Sequence, residues 1–403
     1  MTATITDAVV WINHPKLMLE RLCGLTVLER QLFLLSRAGI RRVWVASMKP
    51  REAEGLRAPE GLELHWVPRD GDGPVECKPP YLGYSGDHLL RREALEGILS
   101  QEYREHVSYQ DEDRHGVVQL FPYRGERVIQ FEKRALAAGS CVRVQSPLRD
   151  GRAEAWVLDG ARKGQDGLMA RLFDRRISLA VTRRLLDTPV RPNHMTVFSS
   201  LLGLAGAALF AWPDRAHAVA GALLVWLHSV LDGCDGELAR LKFQESRFGG
   251  TLDFWGDNLV HVALFLSIGA GLWRGGLGAG ALALGLVAAA ASAAAAALAF
   301  RHTLRAKRAA SAPLFDGLRL EAPPPDGAAR ALARIEGMLA QRDFIYVLVA
   351  AAAFDKLGLF LLAAAVGAPL FLAVLIYLTP ADGAPASPKP ELTGGQARTR
   401  GAT

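Results

Sequence analysis

From about Thr196 to Thr379 the chain is a succession of long apolar stretches rich in Ala, Leu, Gly and Val. A bilayer core offers no water to exposed backbone groups, so such stretches must fold as helices, with about 20 residues needed per crossing. Six segments have this character, at roughly 196–212, 216–240, 251–273, 276–300, 343–357 and 359–379. The fifth is short and interrupted by Asp355 and Lys356. The expectation is an α-helical polytopic membrane domain of about six transmembrane helices.

Up to about Ala161 the pattern is different, with charges every few residues. DAVVWIN (7–13), RRVWVAS (41–47) and LELHWVP (62–68) have the length and composition of strands. TVLERQLFLLSRAGI (26–40) and HLLRREALEGILSQ (88–101) have helical periodicity. Strands alternating with helices predict a soluble α/β domain with a largely parallel sheet. Four cysteines are scattered with no C-x-x-C spacing, which argues against a zinc ribbon or a disulfide framework. Met1 to Glu20 lacks a basic start followed by an apolar core, so the spans themselves are expected to direct insertion.

The organisation expected from these shifts is an α/β domain over 1–140, a linker over 141–166 and an amphipathic helix over 167–191. A membrane domain over 192–380 and a disordered tail over 381–403 follow. Leu168, Leu172, Ile177, Leu179, Val181 and Leu185 fall among paired arginines in the amphipathic segment. Such a helix is expected to lie on the membrane surface, apolar side down and arginines toward anionic headgroups. Six arginines lie between Arg171 and Arg191. Arg240, Lys242 and Arg247 follow the second span, and Arg301, Arg305, Lys307 and Arg308 follow the fourth. The opposite loops hold Arg215, Arg274 and Lys356. This bias places the N-terminal domain and the ends of spans two and three in the cytoplasm, in a protein of the cell inner (plasma) membrane. No nucleic-acid partner is expected.

Those ends carry four carboxylates. At about 100° of rotation per residue, Asp232, Asp235, Gly236, Ala239 and Arg240 share one face of the second span. Gly249, Asp253, Gly256 and Asp257 share one face of the third. Four crowded carboxylates require a counter-charge, and hard oxygen ligands favour Mg²⁺ or Mn²⁺. Two ions held between two helices suit phosphoryl chemistry, because they can clamp both attacking and leaving oxygens. The small residues leave room for a ligand, and Arg240 is a cationic fork suited to a diphosphate.

Asp232-x-x-Asp235-Gly236-x-x-Ala239-Arg240, then eight residues, then Gly249-x-x-x-Asp253-x-x-x-Asp257, resembles the signature of the CDP-alcohol phosphotransferases without departure. Pro192-Asn193-His194-Met195-Thr196 resembles that family's Pro-Asn-x-x-Thr. The resemblance covers roughly 167–379. It implies a membrane enzyme of six helices per protomer, usually a homodimer. Such an enzyme moves a substituted phosphate from a CDP-alcohol to an acceptor alcohol and releases CMP. It further implies that Asp232, Asp235 and Asp253 are metal ligands and that Asp257 contacts metal and acts as general base. Gly236, Ala239, Arg240 and Gly249 would line the CDP site, with Asn193 and Thr196 nearby; a plain N-cap is the other reading of Asn193. The donor is left open between CDP-diacylglycerol and a CDP-polyol, and the acceptor includes polyols and polyol phosphates. His228 and His261, one turn to either side of the motif, are open between lining the acceptor pocket and bonding a neighbouring helix. Arg301, Arg305 and Arg342 are open between binding an acidic acceptor and anchoring at the membrane edge, and membrane lipid is an expected partner.

HPKLMLERLCGLTVLERQLFLLSRAGIRRVWVAS (14–47) is similar to the early part of sugar nucleotidyltransferases, with Pro15, Lys16, Gly24 and Leu28-Glu29-Arg30 in matching places. SGDHLL (85–90) resembles their later aspartate segment and makes Asp87 a metal-ligand candidate. Those enzymes carry a glycine-rich phosphate loop between the first strand and the Pro-Lys. Here WIN runs straight into HPK. A degenerate domain is therefore expected. The alternatives are a bifunctional enzyme with a working cytidylyltransferase and a membrane transporter using the aspartates as a cation site.

Overall fold

A computed structural model describes residues 5–46, 48, 54–67, 77–123, 130–145, 148, 151–161, 174–310 and 344–378, except the side chains of 303, 305–310 and 378. The start of the amphipathic segment (167–173), most of the loop at 309–327, the tail and the Arg305 and Arg342 side chains lie outside the described residues. The chain divides into two compact units. One comprises Met1–Gly206, Gly221–Asp257 and Arg342–Tyr346, the other Ala207–Ala220, Asn258–Gln341 and Val347–Thr403.

The first unit begins with β1 (Asp7–Trp11), α1 (Pro15–Leu19), β2 (Arg21–Leu22), β3 (Leu25–Thr26) and α2 (Val27–Arg37). It continues through β4 (Arg42–Ala46), β5 (Glu63–Val67), β6 (Tyr81–Ser85), β7 (His88–Leu90) and α3 (Arg92–Leu99). Then come β8 (Val107–Gln110), β9 (Gly116–Phe121), β10 (Glu132–Ala135), β11 (Cys141–Arg143) and α4 (Arg152–Asp159). Seven strands form one sheet in the order β10-β8-β9-β6-β1-β4-β5. Its β6-β1-β4-β5 half is parallel, while β9 runs antiparallel to both β6 and β8. Alternation sets the core: Ala8, Val10 and Ile12 join Leu28, Leu32 and Leu35 of α2 in one buried cluster. A reciprocal capping box starts α2, with Thr26 Oγ1 accepting from Glu29 N and Glu29 Oε2 accepting from Thr26 N.

Two sequence expectations change here. Residues 88–90, read as the start of a helix, form β7, because Leu89 and Leu90 are buried against a partner strand 50 residues on, β11. For the same reason part of the expected linker over 141–166 is built into the α/β domain. Beyond β11, Trp156 of α4 donates from Nε1 to Gly139 O and lies under the Arg91 guanidinium at 3.8 Å.

The described part of the amphipathic segment is α5 (Arg175–Leu185), followed by α6 (Pro192–Leu209), α7 (Arg215–Lys242) and α8 (Arg247–Leu272). After a π-helical turn at Trp273–Leu277 come α9 (Ala279–Ala310), α10 (Phe344–Ala353) and α11 (Leu357–Leu378). Among the described residues, four helices are long and apolar enough to cross a membrane, namely Arg215–Lys242, Arg247–Leu277, Ala279–His302 and Leu357–Tyr377. The two remaining expected spans are lesser in this respect: α6 begins with the polar Pro192-Asn193-His194, and α10 has only 10 residues. In the second unit, Gly269 of α8 and Gly285 of α9 let two backbones meet. A Cβ on either would come within 2.9 Å of a carbonyl oxygen of the other helix. In the first unit Gly206 does the same for α6 against α7, where a Cβ would lie 2.9 Å from Gly221 O.

Candidate functional site

The site is assembled where α5, α6, α7 and α8 converge in the first unit. Asp232 and Asp235, one turn apart on α7, are buried, and Asp253 on α8 is half-buried. One ligand oxygen from each lies within 4.8 Å of the others. Three carboxylates at that spacing repel strongly in a partly desolvated setting, which a divalent cation would offset. Asp257 lies one turn further along α8. It faces His228 of α7, with Nε2 3.3 Å from its Oδ1. The α7–α8 face thus carries a three-oxygen cluster and, beside it, a carboxylate–imidazole contact.

The first turn of α6 supports the cluster. Thr196 is buried and its Oγ1 donates to Asp235 Oδ2, so this side chain orients a carboxylate. Asn193 is the second residue of α6 and not its cap. Its Oδ1 lies 2.8 Å from where a Cβ on Gly249 would stand, so the glycine is what admits α6 against α8. Ser246 Oγ accepts from Gly249 N and so caps the start of α8. Gly256 is similarly confined, since its Cβ would meet Ser200 Oγ at 2.5 Å. On α7, the Arg240 guanidinium lies over Gly236, where a Cβ would be 3.1 Å from Nη1. Arg240 Nε donates to Ala161 O at the end of the α/β domain. Ala239, between them, is half-buried. Of the residues left open, His261 is half-buried on α8 and Arg301 is exposed on α9.

Two residues of α7 escaped the sequence reading. Glu237 is fully buried and accepts from Arg175 Nη1 at 2.8 Å, Ser178 Oγ at 2.7 Å and Thr182 Oγ1 at 2.7 Å. Its carboxylate is therefore paired and fully hydrogen-bonded, as a buried charge must be. Lys242 Nζ donates to the carbonyls of Leu185, Thr188 and Val190, which ties the end of α7 to the last residue of α5 and the segment that follows it. A signal existed: Arg175, Ser178 and Thr182 recur at helical spacing and form a polar stripe in an otherwise amphipathic helix.

In the α/β domain, Asp87 is buried at the end of the central strands and its Oδ2 accepts from Asn13 Nδ2 at 3.1 Å. Its Oδ1 is buried with no hydrogen-bond partner among the described residues. Lys16 is exposed on α1. Only Ile12, Asn13 and His14 separate β1 from α1, so no phosphate-cradling loop lies between them. Arg30 is spent locally, its Nε donating to Leu22 O and its Nη2 to Cys23 O. Gly24, at φ +84°, sits where a Cβ would be 2.6 Å from Leu186 O, just after α5.

Comparison with known proteins adds the following. Residues 190–324 match the CDP-alcohol phosphatidyltransferase family. A bifunctional IPC transferase and DIPP synthase of Rubrobacter xylanophilus is 35% identical over 199 residues, 48% of this chain and 43% of that protein. One of the same description from Archaeoglobus fulgidus is 39% identical over 120 residues, 29% of this chain and 23% of that protein. A phosphatidylinositol phosphate synthase of Mycobacterium tuberculosis is 31% identical over 100 residues, 25% of this chain and 45% of that protein. The chain spans less than half the length of these curated relatives. A crystal structure of the M. tuberculosis synthase with CDP-DAG bound aligns with 50% of this chain and 93% of its own, at 21% identity and a TM-score of 0.35.

Proposed function

From a chain that carries a CDP-alcohol phosphatidyltransferase domain in residues 190–324, we propose a membrane enzyme that transfers a substituted phosphate from a CDP-alcohol to an acceptor alcohol. The observation that carries this reading is the meeting of Asp232, Asp235 and Asp253 within 4.8 Å at the facing ends of two helices. All three are hard oxygen donors, two of them buried, and this fits Mg²⁺ or Mn²⁺. Asp232, Asp235 and Asp253 would hold the metal, with Asp257 at its edge and two ions per site as the fuller arrangement. When bound, the metal supplies positive charge against the diphosphate and lowers the cost of charge on the leaving phosphate.

The protein's own groups do the rest. Thr196 fixes Asp235, while Gly236, Ala239 and Gly249 leave space beside the cluster for the cytidine diphosphate, with Asn193 at its edge. The Arg240 guanidinium over Gly236 adds charge complementarity to the diphosphate. Asp257 takes the proton from the acceptor hydroxyl. The freed oxygen bonds to the phosphorus that carries the donor's alcohol, the bond from that phosphorus to the CMP oxygen breaks, and CMP departs. His228, beside Asp257, orients that carboxylate toward the acceptor. An acceptor of polyol or polyol phosphate type is supported by the similarity to a phosphatidylinositol phosphate synthase, and CDP-diacylglycerol and CDP-polyols are the donor classes.

In the same reading α6 and α10 count as the other two of six spans. The arginine-rich ends face the cytoplasm of an inner membrane, and the α5 segment rests at the lipid surface. The homodimer is implied by family resemblance. The α/β domain does not turn over nucleotide, because three residues between β1 and α1 cannot form a phosphate loop. The names of the bifunctional relatives favour the opposite reading, and CTP turnover by the full chain would establish it. The main test is CMP release by purified protein with Mg²⁺ across a panel of CDP-linked donors and polyol or polyol phosphate acceptors. Release with at least one pair, abolished in Asp253→Asn, is expected. Turnover of no CDP-linked donor would overturn the reading.

A further inference from the structure

Four residues, Phe243–Ser246, join α7 to α8 and so set how the two aspartate-bearing helices face each other. The turn is unusual. Phe243 has φ +54°, a left-handed conformation that a side chain with a Cβ avoids and that glycine normally supplies after a helix. Gln244 N closes it by donating to Ala239 O at 2.9 Å. A bulky residue held in such a conformation requires outside support.

That support comes from α2 of the α/β domain. The Phe243 ring stacks on Phe33, with centroids 5.3 Å apart, and the Arg37 guanidinium carbon lies 5.3 Å from the same ring's centroid. Arg37 Nη2 donates to Phe243 O at 3.0 Å, and Arg37 Nη1 forms an ion pair with Glu245. One arginine therefore grips the ring, the carbonyl and the next-but-one side chain of a four-residue turn. A second grip is the bond from Arg240 Nε to Ala161 O. Leu238 and Leu241 of α7 share a continuous buried cluster with Leu28, Leu32 and Leu35 of α2, so the contact is backed by packing.

We propose that Arg37 is a positioning residue for the aspartate cluster: through Phe243 and Glu245, the α/β domain sets the α7–α8 turn and hence the approach of Asp253 to Asp232 and Asp235. The domain thus retains a role in phosphate transfer through geometry. The proposal rests on the metal-dependent reading of the site.

The test is Mn²⁺ binding by the full-length protein in detergent, read from the electron paramagnetic resonance signal of free Mn²⁺ without donor or acceptor. Asp253→Asn defines the binding that belongs to the cluster. Arg37→Glu and Glu245→Arg should each weaken that binding about tenfold, as loss of an orienting partner does at metal sites. The double charge reversal should recover part of the loss, since the ion pair re-forms with its charges exchanged while the bond to Phe243 O does not. Arg37→Lys, which keeps the charge and loses the planar fork, should fall between wild type and Arg37→Glu. Single reversals that leave Mn²⁺ affinity unchanged would overturn the proposal. So would a double reversal that recovers nothing, which would assign the loss to misfolding. If wild type shows no Mn²⁺ binding that Asp253→Asn removes, the metal reading itself fails, and this inference with it.

Discussion

Among the described residues, two acidic groups bring three ligand atoms within the same 4.8 Å: Asp232, Asp235 and Asp253 in one, Asp111, Asp113 and His115 in the other. They differ in setting. The first lies on long helices with two members buried, and Thr196 orients one of them. The second lies on a turn between β8 and β9 with Asp113 and His115 exposed. Its carboxylate at Asp111 also has polar partners within the α/β domain. Asp111 Oδ2 lies 3.1 Å from His88 Nε2 and 3.4 Å from His115 Nδ1, and Arg143 Nη1 reaches His115 Nε2 at 3.2 Å. Ligand proximity alone therefore does not distinguish a metal cradle from a solvated acidic turn. Placement on long helices and burial are what set the two apart.

The largest expected effect separates the two groups directly. Asp232→Asn should lower CMP release on the order of 10³-fold or more, because removing a charged ligand costs several kcal/mol of transition-state stabilisation at about 1.4 kcal/mol per decade. Asp257→Asn should leave Mn²⁺ binding by the trio largely intact while cutting turnover about 10²- to 10⁴-fold, the usual range for a lost general base. Near-normal CMP release by that variant would remove the base assignment. Thr196→Val keeps the shape and deletes the bond to Asp235, and a loss of about 10- to 100-fold in metal affinity should follow. The smallest effect belongs to the turn, where Asp113→Ala should change neither CMP release nor Mn²⁺ affinity beyond about twofold, as surface changes usually do.

The turn has its own pH signature. Burial pushes His88 below the ordinary histidine value, against the opposing pull of Asp111. In the unfolded chain the same ring titrates near about 6.5. As pH falls through that value the unfolded state takes up the proton first, so stability should decline from neutral toward acid and level off once the folded ring also charges. Thermal unfolding of the full chain at pH 7.5 and 5.5, compared with His88→Gln, measures this slope.

The membrane half was legible because helical rotation converts spacing into faces: the four aspartates fall on matched sides of two helices whichever partners surround them. What rotation could not show is which of the four meet. Asp232, Asp235 and Asp253 meet within 4.8 Å and Asp257, one turn further along α8, faces His228, an arrangement that depends on how α7 and α8 are set against each other. Glu237 was hidden because a carboxylate inside a charged motif reads as solvent-facing until three donors from α5 are placed on it. In the α/β half, local apolar runs were sufficient for β1, β4, β5 and α2. They failed at 88–90, where the strand exists only because Cys141–Arg143 lies beside it.

The apolar cluster that runs from β1 through α2 into Leu231, Leu238 and Leu241 of α7 bears on how the molecule is made. The ribosome delivers the α/β domain first, yet the surface it presents to α7 is finished only after more than seventy further residues have emerged and the second span has been handed to the membrane. Until then that surface is wet and sticky. Completion of the α/β domain's core therefore waits on α7, and a chain ending before α7 would lack Leu231, Leu238 and Leu241 from that cluster.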